Sequence, residues 1–105
     1  MAIKLFISQP MSGRTDAEII DERNDAIASV MERFPGEEID VIDSFFKDAP
    51  HDAHPLWFLG ESIKLLGEAD VAYFCKGWEN ARGCRIEHDC DVEYGTETII
   101  TIEVF

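Results

Sequence analysis

Apolar residues in this chain fall into short, nearly continuous runs, separated by segments where they recur every three or four positions. The first pattern suits strands covered on both sides, as in a parallel sheet; the second marks one side of a helix. Ala2-Ile3-Lys4-Leu5-Phe6-Ile7 therefore predicts a buried first strand, which gives way to a turn-forming loop, Ser8-Gln9-Pro10-Met11-Ser12-Gly13-Arg14. Thr15-Asp16-Ala17-Glu18 is a capping box and opens a helix. Its apolar stripe is expected to be Ile20, Ile27, Val30, Met31 and Phe34, with Pro35-Gly36 as the stop. A short second strand is expected from Ile39 to Ile42, and an irregular connection from Lys47 to His54. Pro55 suits the first turn of a second helix, with Leu56, Leu59, Ile63 and Leu66 inward and Gly67 near its end. A third strand follows from Ala69 to Phe74. The third helix runs from about Ala81 to Tyr94, capped by Asn80, with Ile86 and Cys90 inward and Gly95 as its stop. Thr98 to Val104 reads as a fourth strand.

The order βαβαβαβ with short connections predicts one α/β domain over residues 1–105. Its expected form is a three-layer open sandwich of flavodoxin- or Rossmann-like type, with four or five mostly parallel strands in the order 2-1-3-4. In such a sheet ligands bind at the carboxyl edge, where the strand order switches. Three loops should meet there: Ser8 to Arg14, Asp43 to Phe46, and Cys75 to Gly83. The first brings Ser8, Gln9, Pro10, Met11, Ser12, Gly13 and Arg14 to the amino end of a helix, a seat for a phosphate or a sugar hydroxyl. It has neither the GxxxxGK[ST] nor the GxGxxG pattern. Asp43 is a further rim candidate. Trp78 stands either to stack on a base or to pack against the third helix. Arg82 either binds an anion or pairs with a surface acid. Glu87 is the sharpest candidate, because Gly83 one turn earlier bares backbone in front of its carboxylate. The plainer alternative is a solvated helix glutamate.

Charge narrows the ligand. Twenty-two acidic residues against 9 basic ones give a net charge of −13, which repels nucleic acid and anionic membrane. A small molecule is expected instead, and local amides or arginines still admit a small anion. No apolar stretch approaches the length of a membrane span, and 105 residues fit one core. Cys75, Cys84 and Cys90 are odd in number and lack framework spacing, which suits a reducing compartment. The pairs Cys84/His88 and His51/His54 fall short of a metal site, so no metal is expected. The opening Met1-Ala2-Ile3-Lys4 carries no leader-like pattern, and the expected compartment is the cytoplasm.

Phe6 to Arg14, Ala69-Asp70-Val71 and Trp78 to Glu87 together resemble the nucleoside 2-deoxyribosyltransferase superfamily. The resemblance spans nearly the whole chain and is nearest to a group of small uncharacterised members known as a domain of unknown function. Gly83-Cys84-Arg85-Ile86-Glu87 matches the superfamily's Gly-x-x-x-Glu, which implies that Glu87 is the nucleophile. The loop Ser8 to Arg14 is similar to the phosphate loop of its deoxynucleoside monophosphate glycosidases. The resemblance implies cleavage or exchange of an N-glycosidic bond on a nucleoside or nucleotide. It also implies no cofactor, and a homo-oligomer, dimer or higher. Three positions depart from the pattern: Ser62 stands where active members carry an aspartate, Ala81 where they carry serine or aspartate, and Leu5 where a tyrosine is frequent. A silent nucleotide-binding module is the alternative implied. Asp43, Asp70 and His88 are the candidate proton donors for a departing base.

Overall fold

Seven regular elements and one short turn follow one another in the computed structural model, which describes residues 2–44, 49–95 and 97–100. They are β1 (Ala2–Ser8), α1 (Asp16–Arg33), β2 (Glu38–Val41), α2 (Pro55–Leu66), β3 (Val71–Phe74), a 3-10 turn (Trp78–Asn80), α3 (Arg82–Tyr94) and β4 (Glu97–Ile100). All the strand pairings are parallel, in the order β2-β1-β3-β4. The chain leaves β1 for β2 on one side and returns across it to β3 on the other. The switch point therefore lies between β1 and β3.

Strand alternation builds two cores from one sheet. Leu5 and Ile7 of β1 pack with Ala26 and Val30 of α1, joined by Val71 and Tyr73 of β3. Phe6 faces the other way, with Phe74, Ala72 and Leu66 of α2, and Ile63 and Cys90 close in around them. The expected three-layer α/β sandwich is thus observed, with α1 on one face and α2 and α3 on the other. Phe6 and Phe74 are essentially fully buried, each contributing about 1.5–3 kcal/mol.

The helix boundaries have local causes. Thr15 Oγ1 accepts from the Glu18 amide at 3.2 Å while Glu18 Oε1 accepts from the Thr15 amide at 3.1 Å, the expected capping box. Gly36, at φ +82°, turns the chain after α1.

The buried faces are rotated from those expected. In α1 the buried residues are Ile19, Ala26 and Val30, whereas Ile20 and Met31 are 46% and 55% exposed. Each of the two misplaced residues sits one step, about 100°, around the helix from a buried one. Leu56 of α2 is 75% exposed, because the amino half of this helix borders an open cleft rather than the core. In α3 the inward face is Cys84, Glu87 and Asp91, and Ile86 is exposed. Two acids lie inward there because each has a hydroxyl partner: Ser8 for Glu87 and Thr98 for Asp91. Asn80 closes the 3-10 turn and does not cap α3; Ala81 takes the cap position without a side-chain bond. β2 ends at Val41, and β3 begins only at Val71. Phe45, Phe46 and Lys47 lie outside the described residues, as does the expected fourth strand beyond Ile100. Among the described residues no helix is long and apolar enough to cross a membrane.

Candidate functional site

The carboxyl edge of the sheet carries a cleft of about 930 Å³ over the switch point, within the range of small-ligand sites. The β1–α1 loop forms one side, and the segment from Lys76 to Gly83 the other. Gly77, at φ +88°, supplies the left-handed turn that opens this second segment, in a backbone conformation that other residues rarely adopt.

Glu87 lines this cleft from α3 and is only 7% exposed, so the solvated-glutamate alternative does not hold. Its partners arrive from two other elements. Ser8 shares the side of β1 that Phe6 occupies, which directs its hydroxyl toward α2 and α3. Ser8 Oγ donates to Glu87 Oε1 at 2.7 Å, a charge-assisted length when the carboxyl is ionised. Ser62 of α2 also hydrogen-bonds Glu87. Cys84, one turn earlier on α3, is a buried neighbour of Ser8 and Glu87. Burial raises the Glu87 carboxyl above its ordinary value, against the opposing pull of the Ser8 and Ser62 hydroxyls. Burial likewise pushes the Cys84 thiol up to about 11, so at neutral pH it keeps its proton.

A second polar network occupies the α1 side. Gln9 Nε2 donates to the Ile19 carbonyl at 3.2 Å and to Glu22 Oε1 at 3.0 Å. Arg23 Nη1 donates to Gln9 Oε1 and Ser44 Oγ, and its Nη2 to the Ile42 carbonyl, each at 3.3 Å. Arg23 thereby ties α1 to the ends of both β1 and β2. Cys75 sits against Glu22, and burial with that neighbour raises its thiol to about 12.

Several expected site residues take other positions. Arg14 Nη1 donates to Glu22 Oε1 at 2.7 Å and to the Pro10 carbonyl at 3.1 Å, so its guanidinium is engaged within the chain. The amino end of α1 is closed by its own capping box and carries Asp16 and Glu18, which disfavours an anion there. Gly13, exposed at φ +77°, does not line the cleft. Trp78 takes the packing alternative: it stacks on His88 at 4.1 Å and 24° and leans on Phe74. His88 is consequently not at the cleft. Asp43 is exposed beside Arg23 and outside the lining. Asp70 lies at the opposite edge of the sheet, accepting from the Lys4 amide at 2.9 Å.

Ser8, Gln9, Pro10, Met11, Ser12 and Arg14 do line the cleft, facing Arg82, Gly83 and Glu87. Sequence reasoning missed its apolar wall, made by Pro55, Phe58 and Leu59 of α2 and Ile86 of α3. It also missed Glu22, Arg23 and Ser44. The available signal was the polar pair Glu22-Arg23 interrupting the stripe between Ile19 and Ala26 on the sheet-facing side of α1. Among the described residues the cleft is lined by three basic and two acidic side chains, against 9 and 22 in the chain. Its local field is therefore much less negative than the surface at large. Arg82 is the lining arginine without a carboxylate partner among the described residues. Among those residues, no group of three His, Cys, Asp or Glu side chains is arranged to hold a metal ion. No family model, curated protein or solved structure matches this chain.

Proposed function

We propose that this protein cleaves or exchanges the N-glycosidic bond of a deoxynucleoside or deoxynucleoside monophosphate, with Glu87 as the nucleophile. The observation that carries the reading is a buried glutamate at the switch-point cleft, held by Ser8 and Ser62, with Gly83 one turn before it. The Glu87 carboxylate attacks the anomeric carbon through an oxocarbenium-like transition state; the C–N bond breaks and a glycosyl ester forms. The base leaves with the bonding electrons and takes up a proton from solvent in the open cleft, since Asp43, Asp70 and His88 all stand outside its lining. Water or a second base then opens the ester, completing hydrolysis or transfer. Phe58 and Ile86 offer an apolar face to the base, and a phosphate, where present, lies toward Arg82. The reaction requires no cofactor. A homo-oligomer in the cytoplasm belongs to the same reading, and the exposed Leu56 beside the cleft supplies apolar surface for it to cover.

Ser62 favours a second reading, a silent nucleotide-binding module, because a serine hydroxyl does not exchange protons at neutral pH as the aspartate of the resembling enzymes does. A panel of deoxynucleosides and their monophosphates, scored chromatographically for free base, separates the two. Wild type is expected to release base, and Glu87→Ala and Glu87→Gln to lose several powers of ten in rate. A 2-fluoro substrate analogue should leave added mass on the peptide containing Glu87. Monophosphates should bind more tightly than nucleosides, by a margin that shrinks in salt. Absence of base release from every substrate, with normal nucleotide binding by Glu87→Ala, would establish the binder instead.

A further inference from the structure

The floor of the cleft holds Ser8, whose hydroxyl is bonded to the carboxyl of Glu87. Its backbone is fixed: Ser8 pairs with Phe74 across β1 and β3, and its carbonyl accepts from the Cys75 amide at 2.9 Å. The side chain is 2% exposed, so water does not substitute for its partners. A serine hydroxyl has one proton, and here that proton goes to Glu87 Oε1.

We propose that Ser8 is the positioning residue for Glu87: the Ser8 hydroxyl, donating to Glu87 Oε1, aims the carboxylate into the cleft and holds its charge. The role of this site as a glycosidic one rests on the proposed function above; the hydrogen bond itself is measurable without substrate. A hydroxyl that donates to an ionised carboxyl favours ionisation, so its removal raises the midpoint at which Glu87 takes up a proton. The groups facing this carboxyl are few. Ser8 comes from β1 and Ser62 from α2, while Cys84 lies on its own helix; Glu22 of α1 and Cys75 after β3 are neighbours of Cys84.

The test is a carbon-13 NMR titration of glutamate-labelled protein, with the Glu87 carboxyl signal identified by its absence in Glu87→Gln. Ser8→Ala should move the midpoint upward by about one to two pH units, the value of one charge-assisted hydrogen bond. Ser8→Thr, which keeps the hydroxyl, should restore most of it. Ser8→Cys, a weaker donor of similar size, should shift it in the same direction by less, and reports on the bond should Ser8→Ala fail to fold. A midpoint unmoved, to about 0.3 unit, in whichever of Ser8→Ala and Ser8→Cys folds overturns the proposal whatever the turnover. With an active substrate, Ser8→Ala should also lower kcat while leaving KM near wild type, and move the acid limb of the rate profile upward with the NMR midpoint. If the midpoint moves as expected but wild type releases no base, the positioning role of Ser8 stands and the glycosidic reading alone fails.

Discussion

Replacing Arg23 with alanine tests whether the network behind the cleft holds its two loops in place. Arg23 is half-buried and donates three hydrogen bonds, to Gln9, Ser44 and the Ile42 carbonyl. All three are 3.3 Å long, at the weak end of N–H···O bonding, so each counts for less than a short charge-assisted bond. At about 1 kcal/mol each, less what water recovers in the space left behind, the loss is about 2–3 kcal/mol. For a domain of this size that is a large share of total stability and about 10 °C in Tm. The measurement is urea unfolding followed by circular dichroism and by the fluorescence of Trp57 and Trp78. Arg23→Met, which keeps much of the apolar stem but not the bonds, should lose nearly as much. Arg33→Ala is the control, since Arg33 and Glu97 are both largely exposed and 3.6 Å apart, and should cost under about 0.5 kcal/mol. If Arg23→Ala costs no more than Arg33→Ala, the three bonds do not organise the loops and the account of the α1 side is wrong.

The Glu87 carboxyl is raised in the folded state by burial, so between its unfolded value of 4.5 and its folded value the native protein binds more protons than the unfolded chain. Wild-type stability should therefore fall as pH rises through that window, and Glu87→Gln should remove this part of the slope; parallel urea midpoints for the two proteins across about pH 4 to 8 would refute it. Thr15→Ala should cost about 1 kcal/mol by opening the α1 cap, seen as a lower Tm, and an unchanged Tm would show that the capping box contributes nothing. Cys75 and Cys84, buried and raised to about 12 and about 11, should label slowly with iodoacetamide until denaturant is added. Mass spectrometry of native protein checks this, and rapid labelling of either thiol would contradict their burial.

The sequence alone determined the order and type of the elements, because apolar periodicity and local stop signals act over a few residues. The run Ala2 to Ile7, the box Thr15 to Glu18 and Gly95 each carried their own evidence, and the strand order followed from the rules of parallel sheets. Glu87 was a candidate from the glycine a turn before it and from the Gly-x-x-x-Glu resemblance, but only the fold set it against a solvated surface glutamate, by burying it. What periodicity could not decide was rotation. A shift of one residue turns a helix face by about 100°, and only packing against the sheet put Ile19 inside rather than Ile20, and Glu87 rather than Ile86. Partner choice was likewise tertiary. Whether Arg14 faces a ligand or Glu22, and whether Trp78 faces a base or His88, depends on residues distant in the chain brought within a few ångströms. The Ser8–Glu87 bond spans 79 positions and exists only because β1 and α3 meet at one edge of the sheet. Hydrophobic pattern marks β1 and β3 as covered on both sides; only the closed fold decides which hydroxyl meets which carboxylate.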